Sequence, residues 1–390
     1  MKGMNLIVVT LLVAVVAAMS PLAVAQTSEV FTTGLILPIK VILAGDKSLL
    51  VSESGTMAPN TGRISLVNRN TGKRKTLIDG LPSGVNNLGG SPLPTGPSGL
   101  VLVGRSLYVT IAVGDAVQNV GPGLESPNTK PSSRLYNSVL RIALPDGYEN
   151  LSSPFSLSIA DQEVLANGGT VDLRNSGEQR ISMRMIINLQ NFRKEPRENA
   201  PENVRSSNPY ALEFFEKSLY IADAAFNQIT RVNTVDGSHR TFVKFGTKPN
   251  PFFPDLGGPE IEAVPDNIHR VGSQLLVTLL TGFPFVEDLA EIRSVNLNGG
   301  KQNVLISNLT SAIDVLPAGT ENQFFTLEFS TNLLQNEPGR LRRYTSPDAN
   351  AVTLISDLIS PSSMAYDKNK GAIFITNIFP GTITRVTNLP

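Results

Sequence analysis

Short apolar runs alternate with turn residues along this chain, and one phrase of that pattern recurs. A strand-like apolar run leads into a loop with a small or acidic residue, and a second run follows that ends in Arg-Val or a close relative. The clearest copy is Leu219-Tyr220-Ile221-Ala222-Asp223, a loop to Asn227, then Gln228-Ile229-Thr230-Arg231-Val232. Another copy closes the chain, Ile373-Phe374-Ile375-Thr376-Asn377 and then Gly381-Thr382-Ile383-Thr384-Arg385-Val386. A strand unit repeated every roughly 50 residues is the signature of a β-propeller, whose sheets each need neighbours to bury their faces.

A Pro-rich or Asn-Pro lead-in comes before the innermost strand of each unit, and the next strand carries the Leu-Tyr-Val-like phrase. The pattern predicts second strands over 49–52, 107–110, 219–222, 275–278, 324–327 and 373–376. Their third-strand partners fall over 63–67, 139–142, 228–232, 291–295, 340–344 and 382–386. Asn70-Thr71-Gly72, Asp236-Gly237 and Asn298-Gly299 supply the hairpin turns that follow. Six units result, an all-β, six-bladed propeller that resembles the NHL/SMP-30 kind. The last unit runs out before its outer strand, so the segment around 30–35 is expected to complete it and close the ring. One interval, 142–207, is about twice what a unit needs. It holds two alternating runs, 170–174 and 180–187, around Asn175-Ser176-Gly177, read as a hairpin inserted on the second unit and followed by a polar loop over 193–207. A degenerate seventh blade is the competing reading. The expected organisation is one propeller domain over 26–390, with the insertion at about 150–205.

Charge and composition narrow the partners. With 33 basic and 33 acidic residues the net charge is zero, which argues against nucleic acid. Residues 1–25 have the form of a signal peptide: Lys2, an apolar stretch over 6–19, and Ala23-Val24-Ala25 before Gln26. Cleavage there predicts a secreted or periplasmic bacterial protein with no membrane contact afterwards, and a monomer. An uncleaved anchor is the alternative, because the stretch is nearly long enough to span a bilayer. There is no Cys, so sheet packing alone must hold the domain together.

The motifs resemble the ScyD/ScyE family, exported propeller proteins named from the scytonemin (sunscreen pigment) biosynthesis cluster. The resemblance rests on Thr61-Gly62-Arg63-Ile64, Asp79-Gly80-Leu81-Pro82-Ser83, Gly96-Pro97-Ser98-Gly99-Leu100 and Ser106-Leu107-Tyr108-Val109. It continues through Ser207-Asn208-Pro209-Tyr210, Ala222-Asp223-Ala224, Glu262-Ala263-Val264-Pro265, Leu280-Thr281-Gly282-Phe283-Pro284-Phe285 and Ala312-Ile313-Asp314-Val315. The resemblance implies an exported six-bladed propeller and leaves the activity open.

A propeller carries its chemistry on the loops that lead into innermost strands and on those joining second to third strands. Candidate positions there are Glu53, Asn208, Asp223, Asn227, Asp266, Asn267, Asp314, Glu328 and Asn377. Oxygen ligands converging from several units suit a hard divalent cation such as Ca²⁺, with Glu53, Asn208, Asp223, Asp266 and Glu328 as its candidate ligands. Such a cation would polarise a carbonyl and activate water, as in metal-dependent lactonases on related propellers. The plainer reading is that Asp and Asn after a strand cap the neighbouring backbone. Phe283 and Phe285 offer an apolar wall for a flat ligand, or packing between sheets. His239 reads as a surface residue and His269 as a packing group without a visible acidic partner. The recurring Arg141, Arg231, Arg343 and Arg385 point to pairing between blades. With no catalytic constellation in view, the favoured reading is an accessory protein that binds a small or aromatic ligand, or a protein partner, on its loop face. A cation-assisted hydrolase or lyase with its site at the channel mouth is the alternative.

Overall fold

The computed structural model describes residues 26–87, 91–121, 123–189, 192–319 and 322–389; the expected signal peptide lies outside them. Among these residues the strands form six sheets of four or five strands and four two-stranded ribbons. The innermost strands are Pro38–Ala44, Pro97–Val103, Pro209–Phe215, Pro265–Val271, Ala312–Pro317 and Pro361–Asp367. Each packs against the next in that order, and the last packs against the first. This closed ring of sheets is the arrangement of a β-propeller.

The burial pattern explains why the sequence reads as it does. The second strands Ser48–Glu53, Ser218–Asp223 and Ala372–Asn377 are buried at every residue, which calls for continuous apolar runs. Toward the rim the pattern loosens: Thr170–Arg174 alternates exposed and buried. An apolar cluster fills each gap between neighbouring sheets. Leu50 and Ile64 meet Leu107 and Val109 between the first and second sheets, and Val41 and Leu49 meet Phe374 and Ile383 where the sixth returns to the first. Each such fully buried side chain contributes roughly 1.5–3 kcal/mol.

One backbone bond repeats in all six sheets. The N–H of the residue just past the second strand donates to the carbonyl just before the innermost strand. The pairs are Ser54 to Leu37, Ala112 to Gly96, Ala224 to Asn208, Leu280 to Val264, Phe329 to Ser311 and Ile378 to Ser360, all at 2.8–3.0 Å. Leu37, Val264, Ser311 and Ser360 hold left-handed φ values of 49° to 51° there. A β-branched residue such as Val264 is strained in that region; its own N–H is held by Asn227 Oδ1 at 2.8 Å.

The six predicted second strands and their third-strand partners all lie within observed strands. The sixth sheet takes its outer strand from the other end of the chain, with Thr27–Thr32 running antiparallel to Thr382–Thr387. That strand starts earlier than expected, because Thr27 already pairs with Thr387. The long interval needs correction. Arg180–Asn188 is the regular fourth strand of the second sheet and Thr170–Arg174 adds a fifth, so this hairpin is part of the sheet itself. The true insertion precedes it and contains a helix, Ile159–Ala166, that the strand pattern did not reveal. A capping box starts this helix: Ser158 Oγ accepts from the Asp161 N–H, and Asp161 accepts in return from the Ser158 N–H. Phe155–Ser156 from the same insertion pairs in parallel with Arg74–Leu81 of the first sheet. Within the polar loop, Phe192–Lys194 and Val204–Ser206 form a further hairpin. The four recurring arginines stay within their own sheets. Arg141 and Arg231 donate to Ser106 and Ser218, the first residues of the neighbouring second strands. Arg343 donates to Gln323, and Arg385 to Glu29 of the closing strand. Two of them also lie over an aromatic ring of the same sheet, Arg231 over Tyr220 and Arg385 over Phe31.

Candidate functional site

The second residue after the lead-in proline marks one layer of the lumen: Lys40 in the first sheet, Asn267 in the fourth, Ser363 in the sixth, and Asp314 at the matching position of the fifth. Register puts a β-bulge beside this layer in the first, fourth, fifth and sixth sheets alike. Lys40 spans the lumen: its Nζ donates to Asn267 Oδ1 at 2.7 Å, three sheets round the ring, and lies 3.8 Å from Asp314 Oδ2. His269 Nε2 is 2.7 Å from Asp314 Oδ1 and 3.4 Å from the Lys40 amine. Asp314 also accepts from the backbone N–H groups of Val315 and Met364 and from Ser363 Oγ, at 2.9, 2.8 and 3.2 Å.

Two buried carboxylates, Asp314 and Asp266, live in different environments. Burial alone would raise the pKa of Asp314, but the charges of Lys40 and His269 and the donated hydrogen bonds hold it below the ordinary range. Burial, then the nearby Asp314 charge, pushes Asp266 well above the usual carboxylate range, with Lys40 opposing. Burial also lowers the pKa of Lys40, against the pull of Asp314. Burial and charge thus push these two carboxyls in opposite directions.

One residue nearer the loops, the lumen opens into a cavity of about 210 Å³. Ile39, Ser98 and Tyr210, the first residues after the lead-in prolines, form its lower wall. Leu37, Phe329, Ile378 and Phe379 on loops, with Leu93 at the start of a short strand, line the rim. The lining is largely apolar, with the Tyr210 phenol among the few polar groups. Burial, and then the charge of Asp266, raises the Tyr210 pKa.

Several candidates read from the sequence are placed elsewhere. Glu53, Asp223, Glu328 and Asn377 share one position, the last residue of a second strand, and tie loops to sheets. Glu53 accepts from the Ile36 N–H and pairs with Arg63 at 2.6 Å. Glu328 accepts from the Thr310 N–H and from Arg340 and Arg342. Asp223 accepts from Ser207 Oγ and the Asn208 N–H, and Asn377 donates to Thr382 and Thr384. Asn208 reaches the cavity wall and accepts weakly from the Val113 N–H at 3.4 Å. Asn227 braces the next sheet's lead-in. Phe283 and Phe285 touch each other edge-to-face, with Phe283 close to Gly257 and half-exposed, outside the cavity wall. His239 is exposed. Asn267 and Asp314 are the candidates brought together, around His269 and a lysine the sequence reading passed over, while Asp266 is buried without a hydrogen bond to this group. The only signal for Lys40 was a charge inside the apolar run Pro38-Ile39-Lys40-Val41-Ile42, two residues past a lead-in proline as Asn267 is. For His269, the acidic partner was 45 residues away in the next sheet.

Among the described residues no group of three or more His, Asp or Glu is placed to hold a metal ion, and no helix is long and apolar enough to cross a membrane. No protein-family model matches the chain, and no curated protein matches it. Among solved structures, the chain is similar to the PQQ-bound form of aldose sugar dehydrogenase from Streptomyces coelicolor, at 15 % identity and a TM-score of 0.49, covering 94 % of this chain and 99 % of that one. It is also similar to a putative oxidoreductase (glucose dehydrogenase) from Thermus thermophilus, at 15 % identity and a TM-score of 0.47, covering 93 % and 100 %.

Proposed function

We propose that this chain is an exported, monomeric, six-bladed β-propeller of the ScyD/ScyE type that holds a small, flat, largely apolar ligand in the mouth of its lumen. It acts as an accessory protein, in keeping with secondary-metabolite biosynthesis. The six apolar wedges and the six copies of the lead-in hydrogen bond support the blade count. The motif run from Thr61 to Val315 supports the family, and the N-terminal pattern supports export. The observation that carries the binding reading is the cavity itself, a concave, mostly apolar mouth above a polar floor.

The cation-assisted alternative draws on carboxylates that would have to meet. Glu53, Asp223 and Glu328 instead spend their oxygens on loop N–H groups, hydroxyls and arginines of their own sheets. Of the five candidate ligands only Asn208 reaches the cavity wall, and it does so as a neutral amide. Binding is the better supported of the two.

The chain has no Trp, so the fluorescence of 2-naphthol can be followed in a titration without interference from indole. Saturable binding is expected, weakened about tenfold by Phe379→Ser. Phe379 is 59 % exposed, so its truncation leaves the core intact. Undiminished affinity in that variant would place the ligand elsewhere.

A further inference from the structure

Among the described residues, no charged side chain lines the mouth of the lumen. Its polar side chains are Ser54, Thr95, Ser98, Asn208 and Tyr210, all neutral. Two of these are already engaged. Ser98 Oγ bonds Thr110 and donates to the Pro209 carbonyl at 3.2 Å, and Thr95 Oγ1 accepts from Asn86 at 3.0 Å. Three groups stay open: Ser54 Oγ, the Nδ2 end of the Asn208 amide and the Tyr210 hydroxyl have no hydrogen bond among the described residues. Ser54 is only 3 % exposed. Polar groups on a largely apolar wall are costly to leave unpaired, so a cluster of them marks a place for a ligand's own polar atom.

Their placement gives the mouth two sides. Asn208 and Tyr210 flank Pro209, the lead-in proline of the third sheet, and both line the same cavity. Ile378 and Phe379 belong to a loop of the sixth sheet, three sheets round the ring and therefore opposite, with Phe329 of the fifth beside them. Ser54 stands alone on the first sheet. An apolar wall thus faces a pair of open polar groups across the lumen. The Tyr210 phenol stays an O–H there, because burial raises its pKa.

Resting on the reading of the mouth as a binding site, we propose that Asn208 and Tyr210 are its polar end and hold the hydroxyl of an uncharged hydroxyarene, whose ring lies against Phe329 and Phe379. Asn208 Nδ2 donates to the ligand oxygen, and the Tyr210 oxygen accepts from the ligand O–H. A carboxylate and an ammonium are both disfavoured, since neither finds a counter-charge on this wall. A site whose polar groups await a hydroxyl discriminates strongly against an isostere without one, because those groups are then covered and left unpaired.

2-Naphthol and 2-methylnaphthalene differ by O–H against CH₃ at nearly equal shape, and burial of apolar surface alone favours the methyl compound. Their affinities for the 26–390 chain can be compared by ligand-observed NMR, with 2-naphthoate as the charged arm. 2-Naphthol is expected to bind about tenfold more tightly than 2-methylnaphthalene, and more tightly than 2-naphthoate. Tyr210→Phe should shrink the preference to about threefold while leaving 2-methylnaphthalene binding unchanged, which also shows that the pocket is intact. Asn208→Ala should do the same, and the double variant should bind the two compounds alike. Equal binding of the two by the unmodified protein, tighter binding of 2-naphthoate, or a preference that survives the double variant overturns the assignment and leaves the apolar mouth standing. Failure of both uncharged compounds to bind overturns the mouth as well.

Discussion

Burial acts strongly on the Asp266 carboxyl. Its folded-state pKa is raised, so between the ordinary carboxylate value and that raised value the native chain holds a proton the unfolded chain has lost. Stability contributed at this position is therefore full at acid pH and declines as pH rises through that window. Asp266→Asn removes the dependence. The variant should melt close to the parent at pH 4 and about 2 °C or more above it at pH 7, read by calorimetry. A variant less stable than the parent at pH 7 would mean that the native carboxyl is ionised and favourably held. Asp314 has the opposite sign: its lowered pKa stabilises the fold above the unfolded value, and the contribution is lost as pH falls through the folded one. None of this asymmetry could be read from the chain, where both residues looked like strand-edge acids. It arises because residues 48 apart in sequence share one lumen, while the donors that decide between them come from three sheets.

At the scale of elements, second-strand hydroxyls join neighbouring sheets. Ser52 Oγ donates to the Ser98 carbonyl at 2.5 Å, and Thr278 Oγ1 to the Ile313 carbonyl at 3.2 Å while also accepting from the Asn267 N–H at 2.9 Å. Thr278→Val keeps the shape and strands two buried backbone groups. It should cost about 1–3 kcal/mol in urea unfolding, whereas Thr241→Val on an exposed outer strand should stay within about 0.5 kcal/mol. Glu328 is a stronger knot, fully buried between Arg340 and Arg342. Glu328→Gln leaves two partly buried guanidinium charges without their partner and should cost about 1–3 kcal/mol, measured the same way; a cost near zero would show that the pair is solvated. The strands themselves were legible because double burial writes long apolar runs and Gly or Asn punctuates the hairpins. The helix Ile159–Ala166 was not, since only Gln162 and Leu165 of it are buried and its periodicity is correspondingly faint.

Across the whole molecule, the ring is closed by a strand that is mostly exposed along Thr27–Val30 and half-buried at Phe31. Its value lies in pairing the edge of Thr382–Thr387 and in the ring of Phe31 against Phe374 at 5.4 Å. A chain starting at residue 34 should melt about 5 °C or more lower and associate at its uncovered edge, visible by light scattering. Unchanged melting would show that the sixth sheet is stable with three strands. The architecture was readable because a repeat states it many times over. The lumen was not, because each sheet adds a different residue to it: Lys40, Gly99, Ala211, Asn267, Asp314 and Ser363 share no chemistry. The central claim, that this lumen's mouth is the working site, is tested most directly by irradiating the protein with benzophenone, an aromatic ketone that crosslinks where it binds, and mapping the modified peptides. Labelling confined to the segments carrying Leu37, Leu93, Phe329 and Phe379, and competed by 2-naphthol, is the predicted result; labelling concentrated on the exposed Phe252–Leu256 loop or on the outer strands would contradict it.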